Sequence, residues 1–277
     1  MKAIVVPTDF SPVALNAMNY ATDMAVALQA SLTLFHVYQI PVSYTDTQAP
    51  LPVVNISDIE DMCRQQLEDL KQQVEKLTSG AIQVNTELRM GLVESELEDF
   101  CENIRPFAVV MGTKGASLVE RLFLGSTTLS VLRKLTTPVV VVPPGSSFKG
   151  IQKIVFACDL KAVAETIPAA TIKSWVNTFN AELLVLNVDY DNRNFKPDTP
   201  EQSILLHQLL SEAKPKYYFI ENENVESGIS EFAEKNNADL IVTVPKKQRL
   251  LDRLFQKSHT NTLAVHSHIP ILSIHEK

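Results

Sequence analysis

Short apolar runs alternate along the chain with longer stretches whose apolar residues recur at helical period. That alternation predicts an α/β fold with a parallel sheet covered on both faces. Ala3 to Val6 reads as a buried strand. Asp9, Ser11 and Pro12 mark a loop and a helix start, and Ala14 to Ala27, rich in Ala, Met and Leu, has helical composition. Ser31 to Val37 is the second strand. Tyr38 to Val54, with its prolines, threonines and serines, reads as a long irregular connection. Charged and apolar positions alternating at helical period from Ile56 to Leu77 predict an exposed amphipathic helix. Ile82 to Arg89 forms a third strand, Val93 to Ile104 a helix, and Phe107 to Met111 a fourth, buried strand. Leu129, Leu132 and Leu135 then recur at helical spacing ahead of a closing strand around Val139.

Pro143-Pro144-Gly145-Ser146-Ser147 breaks this pattern and is the natural linker, after which the pattern restarts. Lys153 to Asp159 repeats Ala3 to Asp9, and Ala181 to Val188 repeats Ala30 to Val37. Val93-Glu94-Ser95 reappears as Val225-Glu226-Ser227, Arg121-Leu122-Phe123 as Arg253-Leu254-Phe255, and Thr137-Pro138 as Ile269-Pro270. The two halves, residues 1–144 and 150–277, are therefore an internal duplication of one domain.

The stretch with the most chemistry is Met111-Gly112-Thr113-Lys114-Gly115, followed by Gly125-Ser126-Thr127. Three of the chain's eight glycines fall here, where a strand ends and a helix begins. Glycine lets backbone N–H groups approach a ligand closely, and a helix N-terminus opened by Ser126 and Thr127 suits phosphate. The competing reading is a strand end, a turn and a helix start with no ligand. A Walker A loop is excluded, because no Lys precedes Ser126. A dinucleotide fingerprint is excluded by the spacing of Gly112 and Gly115. In the second half Gly112, Gly115 and Gly125 become Val244, Lys247 and Lys257, although Ser258 and Asp159 remain as counterparts of Ser126 and Asp9.

At 277 residues the chain suits two ordinary domains, and 45% apolar residues are enough for real cores. A net charge of −7 argues against general nucleic-acid or acidic-membrane binding. The apolar runs fall short of a membrane helix, and Pro7-Thr8-Asp9 breaks the first one too early for a signal peptide. Cys63, Cys101 and Cys158 lack metal or redox spacing and read as inert thiols in a reducing cytoplasm. His259, His266, His268 and His275 gather near the C-terminus without a carboxylate or Cys to complete a metal set. Lys114 and Arg121 lie in the motif loop, but both types recur at Lys246 and Arg253, so a surface role is equally open.

The spacing G-x2-G-x9-G-S resembles the nucleotide-binding signature of the universal stress protein family. Ile4 to Ser11, Phe35-His36-Val37 and Thr137 to Pro143 resemble that family's opening strand and loop, second strand end and closing strand. The resemblance implies two tandem copies of a five-stranded, adenine-nucleotide alpha-hydrolase-like (Rossmann-like) domain. They would be packed as a pseudo-dimer through the closing strands Val139 to Val142 and Leu272 to Ile274, as a monomer or as a further homodimer. Carried onto this chain, Pro7, Thr8, Asp9 and Val37 would hold adenosine, with Met111 against the sugar or base. Gly112, Thr113, Gly115, Gly125, Ser126 and Thr127 would line the phosphates. The implied ligand is ATP, with ADP or AMP open, together with Mg2+. The alternative for Asp9 is a loop-capping carboxylate.

Three functional classes follow. A cytoplasmic stress protein that binds ATP in its first half and signals to an unknown protein partner leads. A stress interaction protein without nucleotide is the alternative. A slow ATPase ranks last, because no catalytic base, paired acid or Walker lysine is apparent.

Overall fold

The computed structural model describes residues 1–40, 55–113, 126–191, 195–244 and 269–275. In the first half, β1 (Ala3–Pro7), α1 (Pro12–Leu28), β2 (Ser31–Tyr38), α2 (Ile56–Leu77), β3 (Val84–Met90), α3 (Val93–Ile104), β4 (Ala108–Gly112), α4 (Ser126–Lys134) and β5 (Val139–Val142) follow one another. The second half contains β6 (Lys153–Ala157), α5 (Val163–Thr166), α6 (Ala169–Phe179), β7 (Glu182–Asp189) and α7 (Thr199–Leu210). It continues with β8 (Lys216–Glu221), α8 (Val225–Lys235), β9 (Leu240–Thr243) and β10 (Ile271–Ser273). The third strand starts later than its apolar pattern suggested. Ile82 is buried but precedes the paired segment.

All ten strands belong to one sheet, in the order β3-β2-β1-β4-β5-β10-β9-β6-β7-β8. Within each half every pairing is parallel. The halves meet where β10 pairs antiparallel with β5, placing Ile271, Leu272 and Ser273 opposite Val141, Val140 and Val139. The expected pseudo-dimer is thus one continuous sheet, with the pairing one residue earlier than Leu272 to Ile274. All four valines of β5 are buried, as a strand covered on both faces and paired on both edges requires.

One face of the sheet carries a single apolar layer that runs across both halves. It includes Met24 of α1, Leu67 of α2, Trp175 of α6 and Leu206 of α7. Among the described residues the other face holds two separate clusters, one around Phe35, Leu97 and Leu132 and one around Leu184, Ile229 and Phe232. α1 starts where Ser11 accepts a hydrogen bond from Ala14 N–H and Pro12 occupies the first turn. Its second-half counterpart is interrupted, because Pro168 separates α5 from α6.

Away from the seam, aromatic packing holds the halves together. Phe107, just before β4, stacks on Trp175 at 4.6 Å between ring centroids. Tyr20 of α1 meets Phe148 of the linker edge-on at 5.4 Å. Lys2 donates to Thr178 Oγ1 at 3.0 Å across the same contact. Burial in the first-half core pushes the Cys101 thiol up to about 12, and Cys63 is raised by burial too. Both therefore stay protonated and unreactive at neutral pH.

Trp175 is the only tryptophan and lies at the contact between the halves, so it reports on their association. Phe107→Ala should lower the unfolding free energy by about 2–4 kcal/mol and shift Trp175 emission in a denaturant titration. Unchanged stability and emission would show that the halves do not rest on this stack.

Candidate functional site

Strand order reverses between β1 and β4, and the crevice of such a sheet opens at the carboxyl ends of the strands on either side. Ile4 pairs with Ala108 and Val5 with Val109, so the register carried forward sets Thr8 beside Gly112. Val37 is the penultimate residue of β2, on the far side of β1. The structure therefore brings Pro7, Thr8, Asp9, Val37, Met111, Gly112 and Thr113 to one edge of the first half-sheet. Ser126 and Thr127 join them, both exposed in the first turn described of α4. Thr128, one residue on, is buried and donates its hydroxyl to the Gly112 carbonyl at 3.1 Å, which ties α4 to the end of β4. Gly115, Gly125, Lys114 and Arg121 lie outside the described residues.

The loop after β1 is shaped by local bonds. Thr8 N–H still bonds the Phe35 carbonyl at 2.9 Å, so Thr8 stays in line with the sheet. Its hydroxyl accepts from Phe10 N–H at 3.0 Å. Asp9 is exposed, and its Oδ1 accepts from Ser11 N–H at 3.0 Å, the loop-capping role foreseen as its alternative. Phe10 sits at φ 63, a left-handed conformation that a bulky residue adopts only when its surroundings demand it. The second copy builds the same loop. Leu160 sits at φ 55, and Asp159 Oδ1 accepts from Lys161 N–H at 3.2 Å.

Two expectations change once neighbours are visible. Gly112 was read as making room for a ligand, yet a Cβ there would lie 2.5 Å from Val13 Cγ1 and 2.7 Å from the Val13 carbonyl oxygen. The missing side chain makes room for the start of α1. The counterpart, Val244, is buried and shares the apolar layer with Val163 of α5. A Val at this position thus accompanies the broken helix of the second half, and a Gly the unbroken helix of the first. Met111 points its side chain into the apolar cluster with Val5, Phe35 and Leu132, leaving its backbone for the crevice.

In the second half the corresponding crevice is a cavity of about 50 Å³, bounded by Ala157, Cys158, Asp159, Val188 and Val244 among others. A larger cavity of about 320 Å³ lies over the ends of β7 and β8, with Asp159, Asp189, Asp191 and Glu221 in its wall. His275 contacts the Leu132 carbonyl through Nε2 at 2.6 Å, and His259, His266 and His268 lie outside the described residues. Among the described residues no group of three His, Cys, Asp or Glu is placed to hold a metal, and no helix is long and apolar enough to cross a membrane.

Two parallel α/β half-sheets joined edge to edge, each with a strand-order reversal, define a tandem doubly wound architecture. The universal stress protein family model matches residues 1–143 and again residues 150–275, and the chain belongs to that family. It is 30% identical over 143 residues to universal stress protein MJ0531 of Methanocaldococcus jannaschii, covering 51% of this chain and 81% of that one. A universal stress protein structure from Archaeoglobus fulgidus matches with TM-score 0.71 and 18% identity, covering 99% of this chain and 98% of its own. PA1789 of Pseudomonas aeruginosa, described as functionally unknown, matches with TM-score 0.56 and 13% identity, covering 100% and 93%. At these identities the two structures speak to fold alone.

Gly112→Ala tests the packing role of that glycine. Its methyl would press on Val13 backbone, so the variant should lose about 1–3 kcal/mol in chemical denaturation. Wild-type stability would mean that α1 moves aside without cost.

Proposed function

We propose that the first half binds an adenine nucleotide, ATP in the leading reading with ADP and AMP as the nearest alternatives, and that occupancy tunes a stress-related protein interaction. The observation that supports this most is the convergence of the β1 loop, the end of β4 and the first described turn of α4 on one crevice. Thr8, Asp9 and Val37 would take the adenosine side. Gly112, Thr113, Gly115, Gly125, Ser126 and Thr127 would line the phosphates, with the Thr113 N–H itself held by the Val142 carbonyl at 3.3 Å. Mg2+ would arrive with the phosphates, close to the Ser126 and Thr127 hydroxyls. The division into 1–144 as the binding domain and 150–277 as its degenerate partner belongs to this reading, as does action in the cytoplasm.

The second half supports single occupancy. Its crevice, at about 50 Å³, is far below the roughly 300–1,000 Å³ of ordinary ligand pockets. Its larger cavity is walled by four carboxylates, Asp159, Asp189, Asp191 and Glu221, an unfavourable setting for a polyphosphate. The motif glycines are also gone there. Calorimetric titration with ATP should give one site per chain. Two equivalent sites, or nucleotide beside Asp159 with none beside Asp9, would overturn the assignment.

Gly125→Val should abolish ATP binding while the far-ultraviolet circular dichroism stays that of the wild type. Undiminished ATP affinity in the folded variant would count decisively against the phosphate role. Mass and absorbance of any small molecule released on denaturing the purified protein would identify the nucleotide directly. Absence of any nucleotide binding would favour the pure interaction protein.

A further inference from the structure

The parallel ladder between β1 and β2 stops one rung early. Its register runs from Ala3 opposite Ser31 to Pro7 opposite Phe35. The bonding rhythm is set by Ser31 N–H to the Lys2 carbonyl at 3.0 Å and Thr8 N–H to the Phe35 carbonyl at 2.9 Å. Continued by one rung, that rhythm would send Val37 N–H to the Thr8 carbonyl. Val37 N–H faces β1 because the alternate residues of β2, beginning with Leu32 N–H to the Gln83 carbonyl, serve β3. The rung is not made. The Thr8 carbonyl is taken instead by His36 Nδ1 at 2.7 Å. A carbonyl can only accept, so Nδ1 carries the proton. Phe10, in its left-handed conformation, packs on the His36 ring at 4.6 Å and holds it in place.

The second copy does the same with a different residue. Its β6–β7 register stops at Ala157 opposite Leu186, and Cys158 N–H reaches the Leu186 carbonyl at 2.9 Å. Asn187, aligned with His36, donates Nδ2 to the Cys158 carbonyl at 2.9 Å. An imidazole and an amide share little except an N–H donor at the right reach. That both copies place one there marks this hydrogen bond as what the loop requires, whichever side chain supplies it.

We infer that His36 is the positioning residue of the first-half crevice: it captures the Thr8 carbonyl, stops β1 and β2 from zipping together, and leaves Val37 N–H facing the ligand. That N–H is a donor suited to an acceptor on the edge of a purine base. The identity of the ligand rests on the nucleotide reading above; the clamp itself does not.

The test compares wild type, His36→Asn and His36→Val by amide hydrogen exchange at Val37 without ligand, and by ATP titration. His36→Asn borrows the donor of the second copy, so Val37 should still exchange freely and ATP affinity should stay within about twofold of wild type. His36→Val frees the carbonyl and lets the missing rung form. Val37 exchange should then slow by about tenfold, and ATP affinity should fall by a similar factor. If that variant fails to fold, His36→Ala makes the same comparison. Unchanged Val37 exchange in a folded His36→Val or His36→Ala overturns the clamp, as does wild-type ATP affinity in that variant. If the wild-type protein binds no ATP, the nucleotide reading falls, and the exchange comparison alone decides the clamp.

Discussion

The antiparallel pairing of β5 with β10 is the constraint on which the rest of the molecule depends. An edge strand with open N–H and C=O groups invites pairing with any other strand, and β5, four valines long, is an apolar edge of that kind. Pairing it with β10 removes the inner edge of both half-sheets at once. It also fixes direction. β4 runs with β5 and β9 with β10, so the carboxyl ends of β4 and β9 point to opposite sides of the seam. The two crevices therefore cannot merge into one larger site. The apolar layer through Met24 and Trp175 then makes the halves one body on one face, while the described clusters of the other face stay apart.

Within that frame the copies have diverged unevenly. The loops after β1 and β6 keep the same devices: a carboxylate capping a backbone N–H two residues on, a bulky left-handed residue, and a side-chain donor on the preceding carbonyl. The end of the fourth strand has changed together with the helix beside it. Gly112 lies against an unbroken α1, whereas Val244 shares the core with an α5 that Pro168 cuts short. Backbone geometry that shapes a crevice outlasted the glycines that would line it.

The architecture was largely legible in the sequence. Parallel strands buried on both faces must read as unbroken apolar runs, and a duplicated domain repeats them. The seam was implied by the family resemblance, and two short apolar closing strands that needed cover agreed with it. The site was legible as a place more than as a mechanism. A glycine shows that a side chain is missing but not which neighbour fills the space, and at Gly112 that neighbour is Val13. Met111 read as a motif residue, yet strand alternation turns its side chain into the core. His36 passed as one letter of a strand, because its partner is a backbone carbonyl 28 residues earlier. A signal was available: the aligned positions 36 and 187 are both polar between two apolar neighbours, Phe35 and Val37 in one copy and Leu186 and Val188 in the other.

The seam also has a consequence for synthesis on the ribosome. β5 is complete at Val142, but its partner β10 begins only at Ile271. At about 5–20 residues per second, the interval is on the order of ten seconds. Throughout it a nascent first half carries an uncovered strand of four valines, and neighbouring chains on one message offer each other the same strand. The order of the elements thus makes the last strand the one that ends exposure to aggregation, and any delay or truncation between the halves lengthens it.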